Sequence, residues 1–216
     1  MNTTDNKPET EGRVARRQRR NHAALIRAAS AVMSEKGIDA ATMQEIAERA
    51  DVATGTVYNY FKSKDELAIA VLEDMMYDLA LRIEGSTDAF KDPAEVYAFG
   101  LRTVLETATT DMRWKQMLYR SEVISDALYR RMGPFAMRDF KRAMEEGRFP
   151  PGDAALVWRL SAYAIVGISL AITSDETFPY TLDDIVVRLL CMTGIGTNDA
   201  LELVARPRPA LQESRL

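Results

Sequence analysis

The chain has 216 residues, enough for one or two domains, with 47% apolar and 28% charged side chains, an ordinary globular composition. One cysteine, Cys191, and one histidine, His22, exclude an intrachain disulfide, a cysteine-cluster zinc site and a two-histidine metal motif. A Ser-His-Asp or Cys-His centre would have to use His22, which follows Arg19 and Arg20 in a basic run, a poor setting for an imidazole base.

The formal charge of −4 conceals an uneven distribution. Residues 12–34 carry six arginines and no acid, and the first seventy residues hold 11 basic and 10 acidic side chains. The remainder holds 17 basic and 22 acidic ones, so the acidity lies in the larger C-terminal part and the two parts suit different partners.

Met1 to Gly12 is polar and lacks the apolar core of a secretory signal, so a cytoplasmic location is expected. Residues 1–19 read as a basic, disordered arm. Leu25, Ala29, Val32 and Met33 then form one apolar stripe that predicts a first helix, stopped at Gly37. Thr42-Met43-Gln44-Glu45 is a capping box and opens a second helix with Ile46, Ala47 and Ala50 on one side. Asp51-Val52-Ala53 breaks it before a third, Thr54 to Phe61. Ser63 to Glu66 repeats the capping-box pattern and starts a longer helix carrying Leu67, Val71, Met75 and Leu79 to about Ile83.

Gly85 and the loop near Asp92 are expected to leave the chain freedom. Asp92-Pro93 supplies a cap and a first-turn proline for a helix to about Thr107. Helices are predicted over 111–120 and over 122–147, the latter distorted at Gly133-Pro134. After the breaker at 149–153, Asp153 caps a helix to about Ser174; further helices follow over 182–192 and near 198–204. The segment from Ala154 to Thr173 matches a membrane span in length, with Arg159 its only charge. Trp158, Ser161, Tyr163, Ser169 and Thr173 dilute its apolarity, so it reads as a helix buried on several faces. The tail, 206–216, is expected to be extended and loosely attached.

Two short helices joined by a three-residue turn and packed through Ile46, Ala47, Val52, Val57 and Phe61 form the pattern of a helix-turn-helix. The second would present Thr54, Thr56, Tyr58, Asn59 and Tyr60 to phosphates and base edges, with Gly55 permitting close approach. A generic helical hairpin has the same periodicity. The stretch from Gly37 to Leu67, with Thr42, Ile46-Ala47, Gly55-Thr56-Val57-Tyr58, Phe61 and Lys64, resembles the DNA-binding domain of the TetR family of bacterial transcriptional regulators, over about residues 20–70. Asp51 departs from the glycine that many members carry in the turn, although aspartate tolerates left-handed backbone.

The resemblance implies an all-α fold: an N-terminal three-helix helix-turn-helix domain, 20–66, joined by a linking helix to a C-terminal helical ligand-binding and dimerisation domain, 67–205. It implies a homodimer on a palindromic operator in double-stranded DNA, its reading helices about 34–36 Å apart in successive major grooves. Gln44 matches a position that reads a base edge. Thr54 and Thr56 match phosphate or base contacts, Tyr58 a phosphate contact, Asn59 and Tyr60 variable base-reading positions, and Lys64 a backbone clamp. Thr42 either joins them or only caps its helix. Arg16, Arg17, Arg19 and Arg20 either enter the minor groove or line phosphates, or form a solvated tail. His22 reads as a surface residue.

For the C-terminal part, the resemblance implies that the last two long helices pair with their copies and that the middle helices enclose a small-molecule effector. Candidate lining residues are Met75, Tyr97, Phe99, Leu101, Trp114, Met117, Phe135, Phe140 and Tyr163, each of which also reads as ordinary core. Arg102, Arg113 and Arg120 either meet an anionic effector or are solvated. No catalytic residue, metal ligand or cofactor is expected. The function this implies is that of a homodimeric repressor released by a small, mostly apolar effector. The alternatives are an activator or effector-independent regulator of the same fold, a helical enzyme using a carboxylate pair such as Glu106 and Asp111, and a redox sensor using Cys191.

Overall fold

The computed structural model of the chain describes residues 12–175 and 177–213, and the side chains of all of these except 120–122. Every regular element among the described residues is helical: α1 (Arg13–Ala40), α2 (Met43–Arg49), α3 (Thr54–Tyr60), α4 (Lys64–Thr87), α5 (Pro93–Thr110), α6 (Met112–Met117), a 3-10 turn (Leu118–Arg120), α7 (Ser121–Glu145), α8 (Ala154–Ser174), α9 (Leu182–Cys191) and α10 (Thr197–Ala205). They divide into two compact units, one reaching Val71 and the other starting at Leu72 and including the short stretch Gly37–Asp39. The division thus falls five residues beyond the expected 66/67 boundary, because Leu67, Ala68 and Val71 on the first turns of α4 are fully buried in the N-terminal core.

In that core, Leu25, Ala29, Val32 and Met33 of α1 meet Ile46 and Ala47 of α2, Val57 of α3 and Phe61. Gly37, at φ 84°, breaks α1 where the sequence places its stop. The start of α1 differs from expectation: the basic run from Arg13 to Arg20 is helical from its first residue, and is no extended arm. Arginine is a good helix former and no breaker lies between Gly12 and Gly37. The earlier part of the expected arm, 1–11, lies outside the described residues.

In the C-terminal unit α5 is central, packed against α7, α8 and α9, with α10 laid on α9. Pro134 lies within α7, which runs on through it, and the neighbouring Gly133 makes room for a side chain of α8. Gly133 lets the Trp158 indole approach, since a Cβ there would lie 3.2 Å from its Nε1, and that nitrogen donates to the Tyr129 carbonyl at 3.0 Å. Helix α8 is long and apolar enough to cross a membrane, yet Val157, Trp158, Ser161, Ala162, Ile165, Val166 and Ser169 form a buried face against the unit's core.

The tail also differs from expectation, because the described part is tied down. Arg206 pairs with Asp92 (2.7 Å), Glu95 (3.1 Å) and Glu202 (2.9 Å), and Arg208 with Glu106 (2.9 Å). Gln212 binds Gly85 and Ser86, and its carbonyl accepts from Arg82 at 2.7 Å. The two places expected to give freedom are therefore occupied: Gly85 sits inside α4 under Gln212, and Asp92 caps α5 while held by Arg148 and Arg206. Long-range pairs between the tail's arginines and distant carboxylates leave no local pattern in the sequence.

Candidate nucleic-acid interface and ligand cavity

Helix α2 begins at a complete capping box: Thr42 Oγ1 accepts from the Glu45 N–H at 3.2 Å, and the Glu45 carboxylate accepts from the Thr42 N–H at 3.0 Å. Lys36, 2.5 Å from Glu45, and Arg49, paired with Glu35, fasten α2 to α1. The hydrogen bonds from Lys36 and then Thr42 hold the Glu45 carboxyl below its ordinary pKa. Thr42 is thus engaged as a cap. Gln44 projects outward, its amide donating to Glu48 at 3.0 Å, an arrangement that fixes the side chain while leaving its carbonyl oxygen open.

The turn into α3 places Asp51 at φ 55°, the left-handed conformation that glycine would adopt most easily and that aspartate tolerates. Val57 and Phe61 then anchor α3 from below, both buried. That leaves Gly55, Tyr58 and Asn59 exposed and Thr54, Thr56 and Tyr60 half-buried, on a helix with no acid. Nothing lies within 4 Å of where a Gly55 Cβ would stand, so this stretch of backbone is open to an approaching surface. Lys64, half-buried, starts α4.

His22 is exposed, as read from the sequence, and its ring lies 5.0 Å from that of Phe61 and 6.2 Å from that of Tyr60 between centroids. These ring contacts join α1 to the C-terminal end of α3, where Tyr60 is half-buried. Because α1 is helical here, Arg16, Arg17, Arg19 and Arg20 are exposed on a regular scaffold.

The C-terminal unit contains a small cavity of about 40 Å³ between α4, α5, α7 and α8. Its walls are mainly apolar: Ala80, Ile83, Val96, Gly100, Leu101, Val104, Met132, Phe135, Ala136 and Trp158. Its polar groups are Glu84, Arg138, Asp139 and Tyr97. Arg138 bridges Glu84 (2.5 Å) and Asp139 (2.9 Å), leaving one net negative charge among the three. Burial pushes the Asp139 carboxyl up from its ordinary pKa against the pull of Arg138. Burial also raises the Tyr97 hydroxyl to about 12, with Ser161 acting in the opposite sense and Asp139 adding to the rise. The lining suits a small, largely apolar molecule that is uncharged or donates hydrogen bonds.

Of the nine candidate lining residues, Tyr97, Leu101 and Phe135 line this cavity. Phe140 stands behind it, packed edge to face on Tyr97 at 5.9 Å. Trp114 and Met117 are fully buried core, Met75 and Phe99 lie away from the cavity walls, and Tyr163 is 43% exposed on the outer face of α8. Of the arginines, Arg102 is buried and paired with Asp183 and Glu106, and Arg113 holds Asp111, which caps α6; the Arg120 side chain lies outside the described ones. The sequence reading missed Glu84, Arg138, Asp139 and Trp158. Glu84 and Arg138, on different helices, face each other only in the packed bundle, so no spacing in the sequence reveals them.

The family model described as bacterial regulatory proteins, tetR family, matches residues 25–71, and that described as tetracyclin repressor-like, C-terminal domain, matches residues 92–206. The transcriptional repressor KstR of Rhodococcus jostii is 29% identical over 136 residues, 61% of this chain and 62% of its own. The transcriptional activator FasR of Mycolicibacterium smegmatis is 32% identical over 133 residues, 54% of this chain and 60% of its own. The crystal structure of RolR in complex with its ligand resorcinol superposes with a TM-score of 0.82 and 29% identity, over 92% of this chain and 100% of that one. The chain spans between 29% and 62% of the length of the curated relatives it matches. One match covers the reading helices and the other more than half of the chain, including most of the walls of the cavity; the chain belongs to the TetR family of bacterial transcriptional regulators.

Proposed function

We propose that the protein is a homodimeric repressor that binds a palindromic operator and is released from it by a small, mostly apolar effector, acting in the cytoplasm and without enzymatic turnover. The observation that carries this reading is the occurrence of an acid-free, outward-facing α3 in one unit and a small, mainly apolar cavity in the other. Gln44, Thr54, Thr56, Tyr58 and Asn59 meet base edges and phosphates, with Lys64 and the α1 arginines adding phosphate contacts. The unpaired apolar stripe of α8, Leu156, Leu160 and Tyr163, supplies the surface through which two copies associate.

RolR, bound to resorcinol, supports an aromatic ring as the effector's frame. The negatively biased rim formed by Glu84, Arg138 and Asp139 favours a neutral ring over a carboxylate. Effector binding shifts the population toward a conformer with lower operator affinity. Footprinting of the purified protein on DNA flanking its own gene, followed by a screen of small aromatic compounds for release, tests the reading. A symmetric footprint lost on adding one such compound is expected; absence of binding to any such DNA at low salt overturns it. The likeness to the activator FasR makes a second reading specific: a footprint upstream of a promoter, and not across it, would mark activation.

A further inference from the structure

A cavity of about 40 Å³ has room for roughly three waters, each of which takes about 10–15 Å³ of such space. A six-membered ring is larger, so binding one requires a wall to yield. Three of the walls are locked. Helices α5, α7 and α8 pack against one another, Trp158 is pinned by its bond to the Tyr129 carbonyl at 3.0 Å, and the Tyr97 ring is held edge to face by Phe140 and Phe149 at 5.9 and 5.6 Å between centroids. The fourth wall is α4, which approaches none of those three helices as closely.

Ala80, Ile83 and Glu84 turn one face of α4 to the cavity. Arg82, Gly85 and Ser86 repeat that spacing two residues further on, about 200° around the helix, and so form its opposite face. The C-terminal segment is tied to that opposite face. Arg82 Nε donates to the Gln212 carbonyl at 2.7 Å, the Gln212 N–H to Ser86 Oγ at 2.9 Å and the Gln212 amide to the Gly85 carbonyl at 2.6 Å. The other end of the segment is anchored to α5 and its cap, through Arg206 on Asp92 and Glu95 and Arg208 on Glu106. It runs from α5 to the back of α4 as a strap around the one wall able to move.

Resting on the effector reading above, we propose that the strap from Arg206 to Gln212 sets the size of molecule that the protein accepts, with Gln212 as a positioning residue that holds the α4 wall against the cavity. A ligand that dilates the cavity pushes α4 outward against its bonds to Gln212, and the work grows with the ligand's length. A short ligand stretches the strap little; a longer one must loosen it. On the cavity side, Glu84 and Glu73 also tie α4 to Arg138, Arg130 and Arg131 of α7. Those arginines are half exposed, so salt weakens their pairs, whereas none of the three bonds to Gln212 joins two ions.

The test is calorimetric binding of phenol, 4-ethylphenol and 4-butylphenol to the full-length protein without DNA, at high ionic strength so that the pairs between α4 and α7 are screened. Gln212→Ala, Arg82→Ala and Gly85→Ala each loosen the strap, the last by driving a Cβ into the Gln212 side chain, and none of these residues lines the cavity. Each should raise the affinity for 4-butylphenol relative to phenol by about three- to tenfold over the parent, the worth of about one hydrogen bond, with helical circular dichroism unchanged. A ratio that stays at the parent's value in all three variants, or affinities that shift by one common factor for every probe, would assign the strap a purely structural role and overturn the proposal. Ala136→Leu, which fills the cavity from α7, separates this failure from that of the effector reading. If the probes bind that variant as they bind the parent, or bind none of the proteins, the cavity is not the ligand site; if Ala136→Leu abolishes binding while the ratio resists all the strap substitutions, only the strap proposal fails.

Discussion

The side-chain amide of Gln212 donates to the main-chain carbonyl oxygen of Gly85 at 2.6 Å, joining residues 127 positions apart. The same glutamine's backbone N–H donates to Ser86 Oγ at 2.9 Å, so the C-terminal segment is fastened to the last turn of α4. Gly85 allows this, because a Cβ there would collide with the Gln212 side chain.

A double-mutant cycle measures that fastening. Replacing a helical glycine by alanine stabilises by up to about 1 kcal/mol, and by less in a last turn such as that of Gly85. Gly85→Ala should realise that gain in a Gln212→Ala background, where the collision is absent, and fall short of it in the parent, where Gln212 must first be displaced. Urea denaturation of the four proteins gives the coupling. Full additivity would show that Gln212 is not held over Gly85 in solution.

At the reading face, exposure separates two kinds of contact. Gln44→Ala should relax preference at one base pair by about 1–3 kcal/mol and leave binding to unrelated DNA unaltered. Tyr58→Phe combined with Lys64→Ala should weaken binding to all sequences and lower the salt slope by about 1. Titrations of operator and random duplex at several salt concentrations check both; equal loss on the two duplexes for Gln44→Ala would remove its base-reading role.

Features governed by local rules were legible before the structure. The Thr42 and Asp153 caps, the Gly37 stop and the left-handed Asp51 each depend on neighbours within a turn or two, and each stands where the residue types place it. Three of nine expected lining residues reach the cavity, because a large apolar side chain on a helix is written the same way whether it meets a void or another side chain. The bridge from Arg138 to Glu84 and the anchoring of Arg206 by Asp92 join residues 54 and 114 positions apart. No periodicity encodes such pairs, and so the tail was expected to be loose and Asp92 only a cap.

The outer stripe of α8 yields a prediction about assembly. Leu156 and Leu160 are 55% and 50% exposed in the single chain, one helical turn apart, with Tyr163 continuing the stripe. Leu160→Glu should leave the protomer folded, since the position contributes little to its core, and abolish dimers by placing two like charges in a desolvated interface. Sedimentation velocity should show single chains with unchanged helical circular dichroism, and operator affinity should fall steeply. Retention of the dimer would move the interface elsewhere.

The acid response of the C-terminal unit should depend on Asp92. Burial alone would raise its pKa, but the guanidinium groups of Arg148 and Arg206, with the Ala94 N–H, outweigh it and hold the carboxyl below its ordinary 3.8. A carboxyl depressed in the folded state contributes stability that is fully present above its unfolded pKa and is lost as pH falls through the folded one. Asp92→Asn removes both ion pairs while its amide oxygen can still cap α5, so the cost should come mainly from the partly exposed pairs, about 0.5–1 kcal/mol at pH 7. The deficit should persist down to about pH 5 and shrink below pH 4, where the parent protonates the same group and loses the same contacts. Thermal unfolding of both proteins from pH 7 to pH 3 checks this: parallel curves across the whole range would show that Asp92 is no more strongly held in the folded chain than in the unfolded one.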